Sequence, residues 1–152
     1  MCCLSAIALL QLSLSSLTSA EPVTWNRSND HGGSTEWVRT QVNETTLREE
    51  RTVADSTGTI LGTSVTYYEE GKHFLTLLYR GKDELQFIEH WTYFEKGGFS
   101  ISLCNPEGKI LGLQLHVPGA AAETRFFSGD GRRELSDEEV EALARRTHAY
   151  AW

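Results

Sequence analysis

The stretch DSTGTILGTSVTYYEEGKHFLTLLYRGKDELQFIEHWTYFEKGGFSISLCNPEG, residues 55–108, decides the fold because five turn signals cut it. They are Asp55-Ser-Thr-Gly58, Tyr68-Glu-Glu-Gly71, Arg80-Gly-Lys-Asp83, Glu95-Lys-Gly-Gly98 and Asn105-Pro-Glu-Gly108. Each offers a glycine where a hairpin needs positive φ, or a polar residue that opens a type I turn. The segments between them are rich in β-branched and aromatic residues and short enough to be strands. The stretch therefore predicts an antiparallel meander.

Register follows from the turns. A type I turn with a bulged glycine closes residue i on i+4. That sets Val65 against Leu75, and a loop at 81–84 sets Leu77 against Ile88 and Leu75 against His90. A loop at 95–98 sets Phe94 against Phe99, Thr92 against Ile101 and His90 against Leu103. The last turn sets Leu103, Ile101 and Phe99 against Leu111, Leu113 and Leu115. One face then collects Leu61, Val65, Leu75, Leu77, Tyr79, Ile88, Phe94, Phe99, Ile101, Leu103, Leu111, Leu113, Leu115 and Val117. A slip of one residue would send a strand's set to the other side. The opposite face carries Phe74, Leu78, Phe87, Trp91 and Tyr93, an aromatic patch that something should cover. The C-terminal segment is the candidate. Ser136-Asp-Glu-Glu139 is a capping box, and Val140, Leu143, Ala144, Thr147 and Ala151 follow helical spacing.

The expected fold is mainly β: an up-and-down meander of six to seven strands, forming a curved sheet or partial barrel, with one helix over 136–150. The expected domains are a signal peptide over 1–20, a polar lead-in over 21–44 and a single β domain over 45–152. Residues 1–20 hold no charged side chain, and Thr18-Ser19-Ala20 has small residues where a cleavage site wants them. Export, secreted or periplasmic, with cleavage after Ala20 is the expectation. It would leave Cys104 as the one cysteine and no intramolecular disulfide. Asn26 and Asn43 open glycosylation sequons. A net charge of −7, with no basic cluster longer than a pair, disfavours nucleic acid as a partner. The mature chain has no stretch apolar enough to span a membrane.

The first strand of the expected domain puts polar residues on the apolar parity. Glu49 and Arg51 would face inward beside Thr63, His90 and Thr92. Buried charges are costly unless paired. The arrangement reads either as the polar end of a pocket or as an edge strand whose charges reach solvent. The pocket reading gives a ligand set of Glu49, Arg51, Thr63, Leu75, Leu77, Ile88, His90 and Thr92. Further wall would come from Phe94, Ile101 and Leu113. The expected function is then non-catalytic binding of a small apolar or amphipathic ligand inside the sheet. One alternative is a protein-interaction module working through Phe74, Phe87, Trp91 and Tyr93. Another is a small hydrolase or isomerase pairing a carboxylate with an imidazole, Glu49 with His90 or Glu89 with His116. The histidines, at 31, 73, 90, 116 and 148, show no metal-ligand spacing, and no cofactor motif occurs.

Two local repeats stand out. Thr57-Gly-Thr-Ile-Leu-Gly62 resembles Glu107-Gly-Lys-Ile-Leu-Gly112, and Tyr67-Tyr-Glu-Glu-Gly-Lys72 resembles Tyr93-Phe-Glu-Lys-Gly-Gly98. They are loosely similar to hairpin repeats of the MORN type, which contact proteins or lipids. Their spacing is irregular, so shared turn chemistry is the reading. The overall plan is similar to a lipocalin-like architecture, an exported meander followed by a helix. The lipocalin Gly-x-Trp motif is missing, because Trp37 follows Ser34-Thr35-Glu36. Neither family is assigned.

Overall fold

A computed structural model describes residues 20–119 and 123–148. Apart from Ala20, the expected leader lies outside the described residues. The described residues form one antiparallel sheet of nine strands in meander order, followed by one helix. The strands are β1 (Val23–Ser28), β2 (Ser34–Gln41), β3 (Thr46–Ala54), β4 (Ile60–Glu69) and β5 (Lys72–Arg80). They continue as β6 (Glu84–Tyr93), β7 (Phe99–Cys104), β8 (Ile110–Val117) and β9 (Glu123–Ser128). Helix α1 is Asp137–His148. The mainly-β meander with a C-terminal helix is as the turns require, with more strands than expected.

The extra strands come from residues 21–44, which are not a lead-in. Trp25 of β1 pairs with Trp37 of β2, and Trp37 pairs with Arg51 of β3. The connecting turn has Asn29 N–H donating to the Gly33 carbonyl and Gly32 N–H to the Asn29 carbonyl, with φ of 72° at Gly32. The loops at 55–59, 94–98 and 105–109 repeat that pattern. The loop between β4 and β5 is tighter. Glu70 and Gly71 both take positive φ, 50° and 77°, as a two-residue hairpin turn demands.

Four register changes separate the observed pairings from the expected ones. Between β4 and β5 a bulge at Phe74 sets Val65 against Leu77 rather than Leu75 and brings Phe74 to the face of Leu75. Phe94 N–H donates to the Gly98 carbonyl, so Tyr93 and not Phe94 opposes Phe99. The β7 set Phe99, Ile101 and Leu103 thereby moves to the face of Trp91 and Glu89. Between β7 and β8 the register shifts next to Cys104, so Leu103 opposes Gly112 rather than Leu111. Leu113 and Leu115 thus return to the face of Leu77 and Ile88, opposite Ser102 and Ser100. Between β3 and β4 a shift at Val53/Ala54 sets Val53 against Gly62, Arg51 against Ser64 and Glu49 against Thr66. The two Ile-Leu-Gly repeats share this device, each bulging at the leucine that follows the turn. Pairing between β5 and β6 is as expected, with Leu75 against His90 and Leu77 against Ile88.

The sheet buries apolar side chains on both faces. On one, which we call the inner face, Leu75 (2 % exposed), Ile88 (1 %) and Cys104 (0 %) pack together with Tyr67, Phe74, Leu77 and Leu85. On the other, the helix face, Leu78, Phe87 and Leu103 pack with Leu111 and with Leu143 of α1. Full burial of such side chains contributes about 1.5–3 kcal/mol each. The helix starts where the capping box places it. Glu139 N–H donates to Ser136 Oγ (3.4 Å), and Ser136 N–H donates to Glu139 Oε2 (3.0 Å). Bonds from Arg133 to both Glu139 oxygens and those from Ser136 hold the Glu139 carboxyl down to about 2. Ser136→Ala is expected to destabilise the first turn by about 1 kcal/mol. Faster hydrogen exchange at the α1 amides would register it, and unchanged exchange would show that the cap is dispensable.

Candidate functional site

The ligand set expected from sequence does not converge. Thr63, Leu75, Leu77, Ile88, His90 and Thr92 share the inner face, because their cross-strand partners do. Glu49 and Arg51 lie on the helix face, beside Thr66 and Ser64. Glu49 accepts an ion pair from Arg39 of β2 at 2.5 Å. Arg51 sits over the Trp37 ring, 5.9 Å from its centroid, and lines a cleft of about 340 Å³ with Arg27, Asp30 and His31. Leu75 and Ile88 are close-packed core, and Phe94 is 42 % exposed in its turn. His90 is half-buried, its Nε2 has no hydrogen-bond partner among the described residues, and burial pushes its pKa down.

The expected aromatic face is also divided. Phe74 packs on the inner face against Tyr67, and Phe87 is buried beneath α1, where Arg146 lies over its ring at 5.9 Å. Trp91 and Tyr93 do share the helix face, in a ladder that crosses five strands. Tyr68 meets His73 (5.5 Å between centroids), His73 stacks on Trp91 (4.4 Å), Trp91 on Phe99 (5.1 Å) and Phe99 on His116 (4.9 Å). These rings spend their faces on one another. Below them Thr76 Oγ1 shares hydrogen bonds with Thr66 Oγ1 (3.1 Å) and His73 Nε2 (2.5 Å). Burial lowers the pKa of His73, which favours the neutral ring.

A partly open space lies next to this ladder, between α1 and strands β6 to β9. It is a cavity of about 260 Å³. Ile101 and Leu103 of β7 form one wall, Phe126 of β9 another, and Val140, Leu143 and Ala144 of α1 the roof. Gly112 lets the helix come close, since a Cβ there would stand 2.7 Å from Leu143 Cδ2. Two polar side chains enter, the Gln114 amide and the Glu89 carboxyl. Glu89 is half-buried, and burial alone pushes its carboxyl above the usual range. No hydrogen bond or ion pair to its carboxyl occurs among the described residues.

Sequence reasoning missed this site because it placed β7 on the wrong face. With Ile101 and Leu103 assigned to the inner side, Glu89 lacked the apolar cross-strand neighbours on β7 that form the cavity wall. The pairings proposed for chemistry do not form. Glu49 and Glu89 point to the face opposite His90, and His116 Nδ1 is engaged with Thr124 Oγ1 at 3.3 Å. Among the described residues no three His, Cys, Asp or Glu side chains gather as metal ligands, and no helix is long and apolar enough to cross a membrane.

The fold and site together define a class: a nine-stranded antiparallel meander whose C-terminal helix roofs a small apolar cavity. No family model, no curated protein and no solved structure matches the chain.

Proposed function

We propose that this domain is an exported, non-catalytic binder of a small amphipathic molecule, which it holds between α1 and the sheet. The observation that carries the reading is the cavity itself: apolar walls on three elements with two convergent polar groups, the pattern of a small-molecule site. Its volume lies just under the roughly 300–1,000 Å³ of sites for drug-sized ligands, so the ligand is smaller than those. The half-buried position of Trp91 and its use within the ring ladder count against a protein interface through that residue. The uncharged, largely apolar leader over 1–20 supports export.

Native mass spectrometry of the full chain, purified gently from the producing cell, tests this. The expected result is a co-purifying small molecule that is lost from Ala144→Phe, whose ring would fill the cavity roof while leaving the sheet core intact. An adduct retained equally by Ala144→Phe would overturn the location. A chain that carries only its own mass, from every source tried, would overturn the binding reading.

A further inference from the structure

We infer that the molecule this cavity takes is a small apolar amine, bound as its ammonium ion against Glu89. The inference rests on the binding reading above and names the ligand's chemistry. Glu89 is the one ionisable side chain among the cavity's described lining residues. A carboxylate drawn partly out of water without a partner is costly, and proteins normally supply one. Here nothing does. Arg145 is paired with Glu141 on the outer side of α1 at 3.0 Å. Arg146 lies over Phe87 and does not line the cavity.

A ligand ammonium would complete the site. It brings a positive charge and up to three N–H donors, which the Glu89 oxygens and the Gln114 carbonyl can accept. Bonds between an ammonium and a carboxylate are about twice as strong as neutral ones. The tail of such a ligand would lie against Ile101, Leu103, Phe126 and Leu143. The charge of the whole chain, −7, draws cations toward it and disfavours carboxylate ligands.

The test titrates the isotope-labelled full chain with hexylamine, hexanol and hexanoate at neutral pH and follows backbone amide resonances by NMR. The three probes share a tail and differ in the head group. Hexylamine is expected to bind about 10- to 100-fold more tightly than hexanol, the range expected from one hydrogen bond to a charged group. Hexanoate is expected to bind weakest. Glu89→Gln should bring hexylamine down to the affinity of hexanol and leave hexanol unchanged. If all three probes shift the Gly112 and Leu143 resonances but hexanol or hexanoate matches hexylamine, the ammonium assignment falls and the cavity reading stands. If Glu89→Gln keeps the amine preference, the assignment to Glu89 falls. If none of the probes shifts those resonances, the binding reading falls with it.

Discussion

Ile88→Ala is expected to lower the free energy of unfolding by about 2–5 kcal/mol, a large part of a small domain's stability. Ile88 is 1 % exposed and central to the inner-face cluster, with Leu77 and Cys104 as its cross-strand partners. All three sit on strands of a continuous ladder, so the backbone has little freedom to close over the space that a truncation leaves. Dispersion contacts are then lost outright in addition to the transfer term. Thr92→Ala, four residues further along β6 on the same face and exposed, should cost less than about 0.5 kcal/mol. Urea denaturation of both variants gives the comparison, and a loss below about 1 kcal/mol at Ile88 would mean that the inner face is loosely packed. The same variant separates core from pocket. Ile88 lies on the face opposite the cavity beneath α1, so hexylamine affinity, measured under native conditions, should be unaffected by Ile88→Ala.

The meander was legible because its turns are written in residues with definite conformational demands. Asp55 shows why. Its carboxylate accepts from Thr57 N–H (2.8 Å) and Thr59 N–H (3.0 Å), fixing the loop from within four residues of sequence. The same pattern, Asn29-Asp30-His31-Gly32, was present before Trp37 and marks the β1–β2 hairpin, with Asn29 Oδ1 accepting from Gly33 N–H at 3.1 Å. The polarity of residues 21–36 hid it, because an edge hairpin has little apolar periodicity to display. Capping of α1 was legible for the same local reason as the turns.

Which face each strand presents was less legible. Parity carries over a turn only if no bulge follows it, and bulges follow four of these turns, at Leu61, Phe74, Gln86 and Leu111. In the two Ile-Leu-Gly segments the glycine after the bulge is buried on the helix face, where a side chain is missing by design of the packing: Gly62 beside Val53, and Gly112 beneath Leu143. The repeat was visible in the sequence, yet its effect on register was not, since a bulge is a response to what packs above it. The candidate site inherits this error. Its residues come from β6, β7, β8, β9 and α1, and only correct parity on all four strands brings them together.

Glu89→Leu is expected to stabilise the ligand-free protein near pH 7 by about 1 kcal/mol, the lower end of the cost of a buried polar group left without a partner, because Glu89 is half-buried. The pH dependence identifies the cause. Burial raises the folded-state pKa of Glu89 above its ordinary value of 4.5, so the folded state holds the proton more readily than the unfolded chain. Its contribution is therefore fully present below about pH 4.5 and is lost as pH rises through the elevated folded value. The stabilisation by leucine should accordingly be largest near neutrality and shrink as the medium is acidified past that window. His73 and His90 act in the opposite sense. Burial depresses both, so the stability they contribute is present above their ordinary value of 6.5 and is lost as pH falls through their folded-state values. Because both proteins carry these histidines, the difference between the urea midpoints of wild type and Glu89→Leu isolates the carboxyl. A gain that is the same near pH 4 and near pH 7 would show that leucine merely packs better. A gain confined to the neutral side would show that the chain carries an unpaired carboxylate at a cost to its own stability, which an ammonium ligand in the cavity would offset by restoring the missing partner.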